Sequence, residues 1–410
     1  MSIVVIIGGG PAGMAAAIFA RERGACVALI EKNEKLGKKL YITGKGRCNI
    51  TNTASIEDTL RHIPRGANFM RSALSSFDSV KLIEWIESLG VPLNVERGGR
   101  VFPASDKASD ITRAMSRKME RLGVEIMLNA KALGVVAENG SITGVRTRGK
   151  TISADCVIVA TGGLSYPATG STGDGYAFAR SLAHNVSETS PALVPLLSDA
   201  AWVRDLAGLS LEMVGVRAMW SGKRIMDETG DMLFTHSGVS GPLILTLSSK
   251  IPDPHSLEKL NLFVDLKSGM TPEQVDKRLM REFAGNPNKL LRNLLRAWLP
   301  AHLAEIFPVL CGFDIEILVK EITKQRRAVL TETLKNLRIP VTGLAGYDEA
   351  IITRGGVCLD EINPKTMQSK LVRGLYFAGE VMDVDCLTGG YNLTCAISTG
   401  VKAGMSATTQ

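Results

Sequence analysis

The sequence predicts an α/β protein. A nucleotide-binding domain of parallel strands is assembled from both ends of the chain and interrupted by an insert. Three observations carry this. An apolar run, SIVVII, leads into the glycine turn GGGPAG, and an alanine-rich helical stretch follows. A second apolar run, ACVALIE, then gives the order strand, helix, strand, a unit whose strands run parallel. Parallel-sheet texture returns at GLYFAGEV near the C-terminus, after a middle stretch of different texture.

The elements follow in order. SIVVII is uncharged and rich in β-branched residues, as a strand buried on both faces must be. Pro11 to Arg23 reads as a helix whose alanines allow close packing on a sheet. Ser2 to Ala20 carries no charge, but GGGPAG breaks it and no basic region precedes it, so no membrane segment is expected. The chain to about residue 123 reads as mainly helical, interrupted at GGRVFP. Residues 124–160 read as short strands with turns at AENG and TRGK, ending in the buried strand CVIVATGG. From Pro191 onward LEMVGVRAMW and KRIMDETGDMLF flank an SG turn, an antiparallel pattern, and NLFVDL is a further strand. TPEQ opens a helical block, with Thr271 as N-cap and Pro272 at the first helical position. The expected domains are 1–190 with 346–410, and an insert 191–345. Within the insert, 191–270 and about 338–345 are mostly β, and 271–337 mostly helical.

Composition narrows the function classes. The chain has 410 residues, 45% hydrophobic and 22% charged, which suits a soluble protein with a full core. The net charge of +7 is scattered, and its nearest approach to a run is LGKKLYITGKGR. A general surface charge or an anionic cofactor accounts for it, so no nucleic-acid partner is expected. Seven cysteines with no CxxC pair argue against a disulfide framework or a zinc site. No metal is expected, and a reducing cytoplasm is the expected compartment.

Gly8, Gly10 and Gly13 have the spacing G-x-G-x-x-G between strand and helix. The first allows a tight turn, the second lets a diphosphate approach the backbone, and the third lets helix pack on strand. Pro11 and Ala12 open the helix, whose free N–H groups and dipole attract an anion. Glu31 ends the second strand, where a carboxylate accepts from both hydroxyls of an adenosine ribose and repels a 2′-phosphate. A dinucleotide containing ADP is therefore expected. GLYFAGEVMDVDCLTGGYNLTCAISTG supplies a second element: strand, acidic loop, glycine turn, helix. Here the chain resembles flavoproteins of glutathione-reductase type, which implies FAD rather than NAD. Gly379 and Glu380 take the place of the Gly-acid pair that binds the ribitol chain. Gly390, Tyr391, Asn392 and Leu393 would offer backbone N–H groups to flavin N1 and O2, where reduced flavin carries negative charge. Thr161, Gly162 and Gly163 match the A-T-G strand end of these proteins. Lys32, Lys38, Gly44, Arg47, Cys48, Asn49 and Ala132 complete the expected cofactor-contact set.

Six stretches together resemble one family: TGKGRCNITN (43–52), GGRVFPASDKASD (98–110), ATGGLSYPATGSTGDGY (160–176), FTHSGVSGP (234–242), ITRGGV (352–357) and GEVMDVDCLTGGYNL (379–393). These are the bacterial BaiN-type flavoproteins, also described as aminoacetone-oxidase-like NAD(P)/FAD-dependent oxidoreductases. The resemblance runs essentially end to end. It implies a glutathione-reductase-type FAD/NAD(P)-binding Rossmann-like domain with an inserted β-barrel and α-helical domain. It also implies flavin-dependent redox chemistry, with 3-oxo-Δ4,6 bile acid reduction as one activity. Two departures stand out. Cys386 follows D-V-D where the family usually has Gly, and TGKG replaces the commoner S-G-G-G, which places Lys45 close to the flavin loop.

The expected reaction is hydride transfer from NAD(P)H through flavin N5 to an activated C=C of a small molecule. The expected substrate pocket lies between the FAD domain and the insert. The insert has no second G-x-G-x-x-G, so NAD(P)H and acceptor would use the flavin in turn. The alternatives are an amine or amino-ketone oxidase using O₂, a non-catalytic FAD-fold binding module, and a tRNA-modifying flavoenzyme. No basic stripe or run of stacking aromatics supports the last of these. Candidate catalytic residues are Tyr391 as proton donor, His236, Arg100 or Arg354 for an anionic group, and Cys48 as a redox thiol. Each also has a structural reading, as packing aromatic, satisfied histidine, ion-pair partner or buried thiol. Asp174 reads as a cap or turn residue near the flavin.

Overall fold

Ile3–Ile7 (β1) is buried from its second residue onward, because strands flank it on both edges. The chain turns at Gly8, whose φ of +109° suits glycine, and enters helix Pro11–Glu22 (α1) with proline in the first turn. Cys26–Ile30 (β2) returns parallel to β1, with Val5 opposite Ala28. Three helices and a small sheet of Thr51–Asn52, Leu93–Val95 and Arg100–Pro103 follow. Helix Ala108–Leu122 (α2) then delivers Glu125–Met127 (β3) to the far edge of β2. An antiparallel sheet of Ala132–Glu138, Ser141–Thr147 and Thr151–Ser153 precedes Cys156–Val159 (β4), which pairs with the other edge of β1. Helix Asp174–Ser181 (α3) comes next. The computed structural model describes residues 1–408, the side chain of Lys45 excepted.

Leu193–Ala345 forms a compact unit of its own. Ser210–Trp220 (β5) and Lys223–Thr235 (β6) make a hairpin around Ser221 and Gly222, both at positive φ, the turn that matches strand twist. With Leu260–Asp265 (β7) and four short strands they form a seven-stranded antiparallel sheet. Its strand order is linear, ending at Leu337–Ile339 and Gly343–Leu344; among the described residues these end strands do not pair with each other, so the ladder is open where a barrel was implied. The helical part includes Pro272–Gly285 (α4) and Lys324–Lys335 (α5). Thr271 caps α4 as expected: its hydroxyl accepts from Gln274 N–H, and Gln274 Oε1 accepts from Thr271 N–H. Val216, Phe234, Leu262, Leu279 and Phe307 are among the fully buried residues of this unit's core.

The first unit resumes at Gly346. Leu375–Phe377 (β8) joins β4, completing the all-parallel order β8–β4–β1–β2–β3. Tyr391–Ser406 (α6) then packs on α1 at very short range. A Cβ on Gly400 would stand 2.2 Å from the Ala12 carbonyl oxygen, and one on Gly404 2.3 Å from that of Ala16. Only glycines on α6 allow this crossing, and the small residues Ala12 and Ala16 face them.

Candidate functional site

A cavity of about 340 Å³ opens at the carboxyl ends of the parallel strands. Ile7 at the end of β1, Ile30 at the end of β2 and Glu31 after it, Ala160 and Thr161 after β4, and Ala378 after β8 all line it. Ligands of open parallel sheets bind at this end, where the loops diverge.

The glycine turn forms one wall, and each glycine has its own reason. A Cβ on Gly8 would stand 2.4 Å from the Ala160 oxygen, and one on Gly13 1.9 Å from the Gly8 oxygen, so both serve packing. A Cβ on Gly10 meets nothing within 4 Å. Gly10 lines the cavity with Pro11 and Ala12, so its missing side chain leaves room for a ligand. The N-terminus of α1 has no side-chain cap and no acid in its first turn, which leaves its positive end for an anion.

Glu31 is buried at the tip of β2 and lines the same cavity. Its Oε2 accepts from Gly9 N–H at 2.7 Å, and its Oε1 accepts from Asn33 N–H at 2.7 Å and Asn33 Nδ2 at 2.8 Å. The carboxylate is thereby fixed in orientation. Lys32 Nζ bridges Asp174 at 2.6 Å and Thr172 at 2.5 Å. Asp174 opens α3 and lines the cavity. Burial opposes its charge, but Lys32 outweighs this and holds its carboxyl below the usual range.

The N-terminus of α6 forms the opposite element. It too has no side-chain cap and no acid in its first turn. A Cβ on Gly390 would stand 2.3 Å from the Thr51 oxygen, so this turn lies tight against the strand Thr51–Asn52. Gly390 N–H donates to the Asn49 side-chain oxygen at 3.0 Å, while Asn49 Nδ2 donates to the Thr51 and Val101 carbonyls at 2.9 and 3.2 Å. Asn49 therefore anchors the helix start. The N–H groups of Tyr391, Asn392 and Leu393 fall in the first turn, where no intrahelical acceptor exists.

Glu380 lines the cavity after β8. Its Oε1 accepts from Ser165 Oγ at 2.6 Å and Thr353 N–H at 2.9 Å, and its Oε2 accepts from Lys39 Nζ at 2.7 Å. Burial opposes the charge, yet Lys39 and these hydrogen bonds keep the carboxyl below its ordinary range.

Of the expected residues, Lys38, Gly44, Ala132, Thr161, Gly162, Gly379, Asn392 and Leu393 also line the cavity. Others are placed elsewhere. Cys48 is fully buried and stands outside the lining, so it does not reach a molecule in the cavity, which argues against a redox role; burial pushes its thiol up to about 12. Tyr391 is outside the lining and stacks on His62, ring centroids 4.3 Å apart. Arg47 pairs with Glu96 and Asp106 and lies over the Phe102 ring. Arg100 is half exposed, 3.8 Å from Glu96, and belongs to the same charged cluster. Gly163 packs against Thr353 and Gly13 against the turn, neither in the lining. Arg354 ends the strand Ile352–Arg354, outside the lining. His236 is exposed on the turn after β6, in the second unit. Lys45, expected beside the loop, has its side chain outside the described set.

Sequence reasoning missed Gly9, Asn33, Lys39 and Ser165. Gly9 stood inside the motif, and Lys39 stood beside the chosen Lys38. Lys38 pairs instead with the nearby Glu34 at 3.3 Å. Cys395 also lines the cavity and touches Cys386, whose substitution for glycine was the available signal. Among the described residues no cluster of ligands suited to a metal occurs, and no helix is long and apolar enough to cross a membrane.

Comparison with known proteins agrees with this geometry. The family model described as "HI0933-like protein Rossmann domain" matches residues 2–406. The chain is 31% identical to the 3-dehydro-bile acid delta(4,6)-reductase of Clostridium scindens, over 99% of both chains. It is also 31% identical to the ribosomal RNA dihydrouridine synthase of Escherichia coli, over 96% of this chain and 95% of that protein. Among solved structures, the 3-ketosteroid delta1-dehydrogenase of Sterolibacterium denitrificans matches over 100% of both chains, with a TM-score of 0.54 at 14% identity, a likeness of fold. The fold is the FAD-binding Rossmann type, and the chain belongs to the HI0933-like Rossmann family of flavoproteins.

Proposed function

We propose that this protein is an FAD-dependent reductase of BaiN type that adds hydrogen across a carbon–carbon double bond conjugated with a carbonyl. The observation that carries the reading is one cavity bordered by two uncapped helix N-termini, with a fixed carboxylate at the tip of β2. A cofactor with a diphosphate, an adenosine ribose and a flavin fits that set. Residues 1–190 and 346–410 are proposed as the FAD domain, and 191–345 as its insert.

In this reading the first turn of α1, opened by Gly10, holds the diphosphate. Glu31 accepts from the ribose hydroxyls and disfavours a 2′-phosphate. Glu380, kept ionised by Lys39, receives the ribitol hydroxyls. The first-turn N–H groups of α6 stabilise negative charge at the flavin pyrimidine edge. When bound, FAD supplies hydride transfer through N5. NAD(P)H is the proposed donor and shares the flavin face with the acceptor, since G-x-G-x-x-G occurs in the chain only at Gly8–Gly13.

The names of the relatives support the acceptor class. A bile-acid Δ4,6 reduction and the conversion of uridine to dihydrouridine both saturate a C=C in conjugation with a carbonyl. A second reading, with uridine in ribosomal RNA as substrate, is favoured by the E. coli relative and by the net charge of +7. The test is anaerobic NAD(P)H oxidation with a 3-oxo-Δ4,6 steroid in one arm and unmodified ribosomal RNA in the other. Product mass is read in both. Steroid-dependent turnover with gain of two hydrogens supports the leading reading, and dihydrouridine formation supports the second. Turnover with neither, and flavin reduction by an amine instead, contradicts both.

A further inference from the structure

Cys386 and Cys395 hold their sulfur atoms 3.4 Å apart. Cys386 lies in the loop between β8 and α6, and Cys395 lies in the second turn of α6; both are buried, and both line the cavity. Nothing in the function proposed above uses them. The backbone of Cys386 is tied to the same helix: its N–H donates to Asn392 Oδ1 at 2.9 Å, and its carbonyl accepts from Asn392 Nδ2 at 2.9 Å. The two cysteines thus hang from one rigid frame. An S–S bond of about 2.05 Å requires the sulfurs to approach by roughly 1.4 Å.

We propose that Cys386 and Cys395 form a dithiol–disulfide couple in the cavity wall and exchange two electrons with the flavin bound there; this rests on the FAD reading above. Towards oxidation, both S–H bonds break and one S–S bond forms. The two electrons and two protons released convert oxidised flavin to its two-electron-reduced form. The reverse step, fed by NAD(P)H through the flavin, restores the dithiol. The hydrogen bond with Cys395, together with burial, holds the Cys386 thiol well above its ordinary range. Both thiols are buried in the cavity wall, away from disulfides in solution, so the redox partner within reach is the molecule that fills the cavity. The couple would let each protein molecule store two more reducing equivalents than its flavin alone.

The test starts from air-oxidised protein, its flavin content read from the visible spectrum. Anaerobic dithionite titration is predicted to consume four electrons per flavin in the wild type and two in Cys386→Ala and Cys395→Ala. Alkylation of the unfolded wild-type protein checks the bond without any variant. The tryptic peptide 374–402 contains these two cysteines and no others. It should lose both alkylations after oxidation and regain them after reduction by NAD(P)H. Flavin-bearing wild-type protein that takes two electrons, with both cysteines alkylated throughout, overturns the proposal. Protein without flavin, even after FAD is supplied, overturns the FAD reading and the flavin exchange with it.

Discussion

Lys39 and Glu380 are 341 residues apart in sequence and 2.7 Å apart in the fold. Lys39→Met leaves the carboxylate with only Ser165 and the Thr353 N–H. Removing one partner of a largely buried pair is expected to cost about 2–3 kcal/mol, read as a lower urea midpoint at pH 7. An unchanged midpoint contradicts the role given to the pair. The glycine motif was legible because its demands are local: a turn, a close approach, a helix start. Glu31 was legible for the same reason. The partner of Glu380 was not, because no local pattern links a lysine near one end of the chain to a carboxylate near the other. The orientations of Cys48, Tyr391 and Arg100 were equally closed to sequence. Each stands beside a motif glycine or asparagine, yet each lies outside the cavity lining.

At the scale of elements, α1 and α6 matter as a pair. Both aim their N-termini at the cavity, and their crossing fixes one relative to the other. Gly404→Ala would place a Cβ only 2.3 Å from the Ala16 carbonyl oxygen. The expected loss is about 3 kcal/mol in stability. FAD affinity should fall with it, because one helix start must shift; denaturant melts and flavin retention on dilution measure the two. Full stability with normal flavin retention would show that the crossing has slack. Both helices were readable in the sequence, α1 from its alanines after GGGPAG and α6 from the glycine turn that precedes it. Their closeness was not read, although two glycines four residues apart on one helix were the available sign.

Across the whole molecule, two cores form from one chain that leaves the parallel sheet and returns to it. The texture change near residue 191 and the return of apolar strand residues at GLYFAGEV made that interruption visible. The open ladder of the second unit was hidden, since Leu337–Ile339 and Gly343–Leu344 are too short to carry a pattern that shows whether they pair. His184 belongs to the first core. Its ring packs on Phe377, and among the described residues its nitrogens make no hydrogen bond. Burial lowers its pKa from the ordinary value, with Glu361 opposing. The unfolded chain therefore binds the proton first. This contribution to stability is complete above about pH 6.5 and is lost as pH falls from there towards the lowered folded value. Thermal melts at pH 7.5 and 5.5 should show a larger acid loss in the wild type than in His184→Phe; equal losses contradict the assignment.

Whether the cavity at Gly10 holds FAD is decided by Gly10→Asp. Aspartate is a preferred N-cap, and the backbone at Gly10 is extended with open space beyond it, so stability should change by less than about 0.5 kcal/mol. Its carboxylate would occupy the place assigned to the diphosphate. The measurement is the flavin-to-protein ratio from the visible spectrum, wild type against Gly10→Asp, each saturated with FAD and desalted. Near-stoichiometric flavin is predicted in the wild type and almost none in the equally stable variant. Equal flavin in both, or none in the wild type, would contradict the FAD reading.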